Sequence, residues 1–248
     1  MAHLEPYMKV NKFRFLYKQI DSKSLEDKVD NFWTELLRRY FYQDEFIINQ
    51  NARPADNEKK KTDFIIQAVS GPNSAEHVVL VEDKRPSLSG RDTAWEDAVG
   101  QLTGYMIQAR DADKRKLKLK KGELLPYSIY GIVNVGKYSR FYVLHPRNDT
   151  LQDLPGTHGK TFHLKDDAED IMKFLTELVA ATIPYASSSS SSSSSAESSR
   201  HGSPSRPGRH GSPPRPGLSS GAPKTTSPAA GKALTSSYGV SAKPKAKP

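Results

Sequence analysis

A run of nine consecutive serines, residues 187–195, divides this sequence into two parts of different composition. Beyond the run the only aromatic residue is Tyr238, and two tandem nonapeptides rich in proline and glycine occupy residues 200–217. A segment of this composition cannot bury enough apolar surface to offset the chain entropy that it would lose on folding. We therefore predict one folded domain, residues 1–185, followed by a disordered tail, residues 186–248.

The net charge of +9 is concentrated in the predicted tail. Residues 186–248 contain nine Lys and Arg and one acidic residue, Glu197, whereas residues 1–185 contain 28 basic and 27 acidic residues. The charge of the whole surface is thus no argument that the domain binds nucleic acid. We interpret the tail as a flexible cationic tether, with a weak electrostatic contact to nucleic acid or another polyanion as the alternative.

Several functional classes are excluded by what the sequence lacks. It contains no cysteine, which rules out disulfides, thiolate metal sites and a cysteine nucleophile. It has no glycine-rich phosphate loop, so we expect no nucleotide cofactor. No apolar run approaches the roughly 18 residues of a membrane span, and residues 1–20 lack the apolar core of a signal peptide. We expect an intracellular protein of the nucleus or cytoplasm, without a membrane partner.

Hydrophobic periodicity predicts a mixed α/β domain built around one sheet. Apolar residues at three- and four-residue spacing indicate an amphipathic helix over residues 25–40, with Ser24 as its N-cap. Strands are predicted at residues 45–49, 63–69, 77–82, 127–135 and 141–144. Two further helices are predicted over residues 92–109 and 171–183. This order places helices on the faces of a mixed central sheet.

Acidic residues occupy the ends of two successive predicted strands. Asp63 opens one strand and Glu82 closes the next, and the interval between them holds a strand, a turn and a returning strand. If the strands are antiparallel neighbours, the two carboxylates converge at one edge of the sheet, where hard oxygen ligands suit Mg²⁺ or Mn²⁺. Because side chains alternate along a strand, Lys84 shares the face of Glu82, whereas Asp83 points away. Lys84 is then placed to orient or deprotonate a water, or to offset charge at a phosphate.

Taken alone, these residues are more simply explained as solvated charges at strand ends, since 26% of the sequence is charged. The order of elements around them changes this interpretation. A helix, a strand led by Asp63, an apolar strand ending in Glu82-Asp83-Lys84, and a second helix together resemble the core of the PD-(D/E)XK nuclease superfamily. The resemblance covers roughly residues 22–145. It departs from the family pattern at Thr62, which replaces the proline of the motif's name.

Two further matches lie on the predicted helices. Many members carry an acidic residue on the first helix, and on a helical wheel Glu26 lies close to the apolar face whereas Glu35 does not. Glu26 is thus a candidate metal ligand, with stabilisation of the helix N-terminus as the alternative. Gln101 and Tyr105 share one face of the second helix and resemble the Q-x-x-x-Y motif of RecB-type members. The alternative for Tyr105 is a core aromatic residue.

The resemblance implies a restriction-endonuclease-like mixed sheet flanked by helices, and a metal-dependent nuclease acting on DNA or, with less support, RNA. The implied catalytic residues are Asp63, Glu82, Lys84, Gln101 and Tyr105, and the implied ligands of Mg²⁺ or Mn²⁺ are Glu26, Asp63 and Glu82. The rival hypothesis is a catalytically inactive module of the same fold that binds nucleic acid or a protein. A serine-run tail joined to such a core is similar to eukaryotic, fungal members.

A basic run at residues 114–121 contains six Lys and Arg in eight positions. We interpret it first as a solvated loop that needs no function. The alternatives are a contact with a phosphate backbone and a nuclear import signal.

Overall fold

A computed structural model of the chain describes residues 5–42, 44–56, 59–86 and 92–187. The predicted disordered tail, residues 186–248, lies outside these ranges except for its first two residues, which end the last helix. None of the described helices is long and apolar enough to cross a membrane.

Within the described residues, seven strands form one mixed sheet. The strands are β1 (Phe46–Ala52), β2 (Thr62–Gly71), β3 (Ser74–Lys84), β4 (Ile129–Val135), β5 (Tyr138–Leu144), β6 (Gln152–Asp153) and β7 (Phe162–His163). The helices are α1 (Asn11–Gln19), α2 (Asp27–Tyr40), α3 (Asp92–Lys116) and α4 (Ala168–Ser187), with a short 3-10 turn (Tyr7–Lys9) before α1. Strands β1, β2 and β3 form an antiparallel meander, α3 crosses to β4, which is parallel to β3, and β5 returns antiparallel. The predicted mixed α/β architecture is confirmed.

Two tight turns fix the register of the hairpins. Gly71 pairs with Ser74, so Pro72 and Asn73 form the β2–β3 turn at the position that the sequence predicts. Gly136 has a φ of 59° in the β4–β5 turn, in the left-handed region that glycine adopts without strain. The β2–β3 turn and the two register shifts along that hairpin together determine which residues face each other at its open end.

Separate hydrophobic cores lie on the two faces of the sheet. Helices α1, α2 and α4 cover one face, where Phe32, Trp33 and Phe64 are fully buried. Helix α3 covers the other face with Leu102 and Met106. Because β3 is covered on both faces, its apolar run is buried almost throughout, as is typical of a strand with a parallel neighbour.

The helix predicted over residues 25–40 begins later than expected. Helix α2 starts at Asp27, and Leu25 lies before it with 70% of its surface exposed. The prediction of Ser24 as N-cap was wrong, because its hydroxyl donates to the backbone oxygen of Gln19 at 2.7 Å and accepts from the backbone N–H of Asp21 at 2.8 Å. A serine ahead of an apolar run favours a local turn as readily as a helix cap.

Helix α3 is longer than predicted and ends at Lys116 rather than at residue 109. Its last turns are tied to β3: Lys116 Nζ donates to the backbone oxygen of Ala75 at 2.6 Å, and buried Asp113 accepts from the backbone N–H of His77 at 2.9 Å. The interpretation of residues 114–121 as a loop was therefore wrong for the first part of the run. Helix α1, β6 and β7 were not predicted.

Candidate functional site

Strands β2 and β3 bring Asp63 and Glu82 to the same end of the sheet. The strands are antiparallel with Phe64 paired to Val81, and the next position in this register sets Asp63 opposite Glu82. Asp63 Oδ2 accepts a hydrogen bond from the backbone N–H of Asp83 at 2.6 Å, which holds its carboxylate against β3. The predicted antiparallel pairing, on which the convergence of the two carboxylates depends, is confirmed.

Lys84 links Glu82 to Glu26 at the start of α2. Its Nζ donates to Glu82 Oε1 and lies 3.9 Å from Glu26 Oε1. Glu82 is only 3% exposed, whereas Lys84 and Glu26 are partly accessible. Glu82 and Lys84 thus share one face of β3, as expected, and Glu26 reaches the same cluster. Glu35 instead forms an ion pair with Lys12 on α1.

Helix α3 places Tyr105 beside this cluster and Gln101 one turn earlier. Tyr105 is 6% exposed and belongs to the hydrophobic core under α3. Burial raises the pKa of its hydroxyl, and the negative charge of Glu82 raises it further. Gln101 is exposed, and within the described part of the chain its side chain forms no hydrogen bond with these carboxylates. Of the predicted pair, Tyr105 borders the candidate site.

A second pair of carboxyl groups lies on the opposite face of β3. Asp83 is fully buried and accepts a hydrogen bond from Asn134 Nδ2 of β4 at 2.7 Å. Asp30 on α2 approaches Asp83 from the helical layer. Among the described residues, no group donates a hydrogen bond to Asp83 Oδ2 or Asp30 Oδ1, so neither buried oxygen has a partner that would stabilise its negative charge. The prediction that Asp83 points away from Glu82 and Lys84 is confirmed.

Burial and mutual repulsion raise the pKa values of these carboxyl groups above those of ordinary Asp and Glu side chains. Burial, reinforced by the charge of Asp63, raises the pKa of Glu82 to about 7. Burial and the charges of Asp63 and Glu26 raise the pKa of Asp30 to about 6. Burial also raises the pKa values of Asp63 and Asp83. If all four groups were ionised, their charge would exceed what the surroundings compensate, so the cluster favours bound protons and would favour a bound cation.

Lys84 contributes the positive charge at this cluster. Burial lowers its pKa, but the hydrogen bond to Glu82 and the charge of that carboxylate outweigh burial and leave the pKa above its ordinary value. The ammonium group is therefore protonated at neutral pH. In this state Lys84 can donate hydrogen bonds and offset negative charge, but it cannot accept a proton from water. Of the three roles expected from the sequence, the protonated state favours orientation of a water and charge compensation at a phosphate over deprotonation of the water.

The oxygen donors of the site fit a hard divalent cation. Glu82 Oε2 is buried and has no hydrogen-bond partner among the described residues, and Asp63 lies on the adjacent strand. Mg²⁺ is typically held by one or two carboxylates and keeps several waters, so two protein ligands suffice. Within the described ranges, no three His, Cys, Asp or Glu side chains are already arranged to hold a metal ion. Lys84 neutralises Glu82 in this conformation, and a metal would replace that contact.

Comparisons with known proteins add no assignment. The chain matches no protein-family model, and searches of curated proteins and of solved structures find no significant match. Any function of these residues therefore follows from their own geometry and chemistry.

Asp30 and Asn134 were not predicted from the sequence, although each left a signal. Asp30 follows Glu26 by four residues, a spacing that places both on one side of α2. Asn134 interrupts the apolar run of β4, and a buried polar residue in such a run requires a partner. Its partner could not be predicted, because the contact of Asn134 with Asp83 depends on the parallel register of β3 and β4.

Proposed function

We propose that the folded domain is a metal-dependent nuclease that hydrolyses phosphodiester bonds of DNA, with RNA as the less favoured substrate. One observation carries this proposal: Asp63 and Glu82 meet at adjacent strand ends, with Lys84 on the same face and Glu26 beside it. Two carboxylates for a divalent cation and one ammonium group for a phosphate are the charges that metal-assisted hydrolysis uses.

The topology supports the resemblance to the PD-(D/E)XK superfamily. Helix α2 precedes three antiparallel strands, and α3 then leads to β4, which is parallel to β3. Within this topology, the order α2, β2, β3 and α3 is the one on which the resemblance rests. The proposal therefore includes a restriction-endonuclease-like sheet, with Asp63 and Glu82 at its metal-binding end.

The contacts of each residue support a distinct role. Asp63 and Glu82 would hold Mg²⁺ or Mn²⁺, with Glu26 as an outer carboxylate. When bound, the cation lowers the pKa of the attacking water and offsets negative charge on the phosphate. Lys84, once released from Glu82, donates to a phosphate oxygen or orients the water. Tyr105 keeps its proton because its pKa is raised, so its hydroxyl remains a hydrogen-bond donor beside the Glu82 cluster. Exposed Gln101 on the same helix is assigned to substrate contact.

A catalytically inactive module of the same fold is the competing assignment. Two observations favour it: residues 1–185 are nearly neutral, and Lys84 already neutralises Glu82. Such a module binds nucleic acid or a protein, and binding to nucleic acid would depend on salt but not on Mg²⁺.

Metal titration and cleavage assays on the full chain separate these functions. We expect Mg²⁺ or Mn²⁺ to bind the wild type in calorimetry and to support cleavage of DNA. Both properties should be lost in Asp63→Asn/Glu82→Gln. The matched control is Asp170→Asn/Glu177→Gln, which neutralises two exposed carboxylates of α4 and should change neither.

The possible outcomes are distinct. Metal binding without cleavage of DNA or RNA would favour the inactive module. No binding of millimolar metal by the wild type, with or without nucleic acid, would overturn the proposal.

A further inference from the structure

A cleft of about 760 Å³ lies between the β1–β2 connection and the last turns of α3. Arg53 belongs to one wall, and Arg115 and Lys116 belong to the other. All three side chains are exposed. Arg115 and Lys116 come from the basic run at residues 114–121, which the candidate nuclease site does not use. Asp56 also lines the cleft, but the three cations outnumber this exposed acidic residue, so the cleft attracts an extended anion.

The floor of the cleft consists of polar groups that the fold holds in place. Buried Asp113 accepts hydrogen bonds from the backbone N–H of His77 at 2.9 Å and from the Tyr127 hydroxyl at 2.8 Å. Its Oδ1 lies 2.8 Å from His77 Nδ1. His77 Nε2 lies 3.4 Å from Gln67 Nε2, and Gln67 Oε1 accepts from Asn49. Because the charge of Asp113 is satisfied within the fold, the floor presents imidazole and amide groups instead of a free carboxylate.

A β-bulge places this floor on the same face of the sheet as the candidate site. Gln67 follows Asp63 by four residues on β2, so both side chains project toward the α3 face. The register shifts between Ile66 and Gln67, which adds one residue to β3 and returns His77 to that face. At about 3.3 Å per residue, Gln67 lies about 13 Å from Asp63 along the strand. Along the axis of a duplex, that distance corresponds to roughly four base-pair steps of about 3.4 Å each.

We propose that this cleft binds the phosphate backbone of the nucleic-acid substrate on one side of the bond that is cleaved near Asp63. The inference rests on the proposed nuclease function. Arg53 and Arg115 contact phosphates from opposite walls, and Gln67 and His77 face the sugar-phosphate backbone from the floor. Phosphate contacts position a substrate without selecting its bases. The cleft therefore contributes affinity and register, while cleavage takes place at the carboxylates.

Binding and cleavage assays on the full chain test this inference with Arg53→Ala/Arg115→Ala. The matched control is Lys18→Ala/Lys165→Ala, which removes two exposed lysines that do not line the cleft. Fluorescence anisotropy with labelled DNA and RNA oligonucleotides in chelator, at several salt concentrations, measures affinity without cleavage. We expect roughly tenfold weaker binding and a salt slope reduced by about two for the cleft variant, since each lost phosphate contact removes about one. In cleavage assays, KM should rise while kcat changes little.

The outcomes separate the cleft proposal from the nuclease proposal. Every variant keeps the cationic tail, so the tail contributes equally to binding in each. A cleft variant with the affinity, salt slope and KM of the control would overturn the cleft inference and leave the nuclease proposal intact. A wild type that cleaves nothing, combined with weaker binding by the cleft variant, would overturn the nuclease function and leave a nucleic-acid site. A wild type that binds neither DNA nor RNA would overturn both.

Discussion

Lys84 donates a hydrogen bond to Glu82, which lies two residues earlier on the same face of β3. The contact neutralises a carboxylate that is 3% exposed and that carries additional repulsion from Asp63. A single ammonium group cannot fully neutralise Glu82 and a substrate phosphate at the same time. A divalent cation held by Asp63 and Glu82 would free Lys84 for the phosphate. The ion pair is therefore the state from which metal binding would start.

Replacement of Lys84 by Met tests separately its neutralisation of Glu82 and its contact with the substrate phosphate. The variant keeps a flexible apolar stem but loses the ammonium group. We expect kcat to fall at least about 100-fold, because a charge that offsets the phosphate is lost. Mg²⁺ affinity should stay equal or rise, because a competitor for Glu82 is gone. Calorimetry and cleavage assays measure both effects, and Lys28→Met, which removes an exposed partner of Asp27, is the control. Loss of metal affinity in Lys84→Met would contradict the competition.

The raised pKa values of Glu82 and Asp30 predict a metal-free domain that is less stable at alkaline pH. Unfolded carboxyl groups titrate near pH 4, whereas the folded pKa values are about 7 for Glu82 and about 6 for Asp30. Between these limits the folded state binds more protons than the unfolded state, so the free energy of unfolding falls as pH rises. This stabilisation is complete below about pH 4 and is lost above about pH 7.

Chemical denaturation in chelator at pH 5 and pH 8 measures this effect. For the wild type, the contribution of Glu82 to the free energy of unfolding should fall by on the order of 2 kcal/mol between the two pH values. Glu82→Gln should flatten the profile, and Glu177→Gln on exposed α4 should leave it unchanged. Mg²⁺ should restore stability at pH 8, since a ligand of the folded state shifts the equilibrium. Identical pH profiles for wild type and Glu82→Gln would contradict the raised pKa.

The meander and the Asp63–Glu82 pair were predictable because they depend on local signals. Alternation and apolar runs define β2 and β3, and Gly71-Pro72 marks the turn that sets their register. Helix α1 was missed although its sequence carries a signal. Phe13, Leu16 and Tyr17 lie at the three- and four-residue spacing of an amphipathic helix and pack on the core.

The contacts that were missed depend on pairing between distant segments. Asp83 meets Asn134 because β3 and β4 are parallel neighbours, and the whole of α3 separates them along the chain. The bulge that turns His77 toward Gln67 is an insertion of one residue that no periodicity in the sequence marks. Such tertiary relationships are invisible to windows of ten or twenty residues.

Asn134 tests the buried carboxyl pair on the other face of β3. Asn134→Leu removes the donor to Asp83 while keeping a side chain of similar size. We expect a loss of roughly 1–3 kcal/mol in the free energy of unfolding, because a buried acceptor is left unsatisfied. Asn134→Asp adds a further acid, so its loss of stability should be larger at pH 8 than at pH 5. Urea denaturation at both pH values measures the difference. A pH-independent loss in Asn134→Asp would show that repulsion is not its cause.

Gly131 of β4 sets how closely α3 lies on the sheet beside the candidate site. A Cβ added there would lie 2.8 Å from Met106 Sδ and 2.9 Å from Leu102 Cδ2. Both atoms are the far ends of flexible side chains, so Gly131→Ala should cost about 1–2 kcal/mol of stability without preventing folding. Because α3 also carries Tyr105, we expect the kcat of Gly131→Ala to fall together with its stability.

Gly100→Ala on α3 is the matched control for Gly131→Ala. Among the described residues, no atom beyond the adjacent backbone of α3 lies within 4 Å of a Cβ added at Gly100, which is exposed in the helix interior. The substitution should therefore raise the free energy of unfolding by up to about 1 kcal/mol, because alanine favours the helix over glycine. Urea denaturation of both variants should show shifts of opposite sign. Shifts in the same direction would mean that the contact of Gly131 with Leu102 and Met106 does not hold α3 in place.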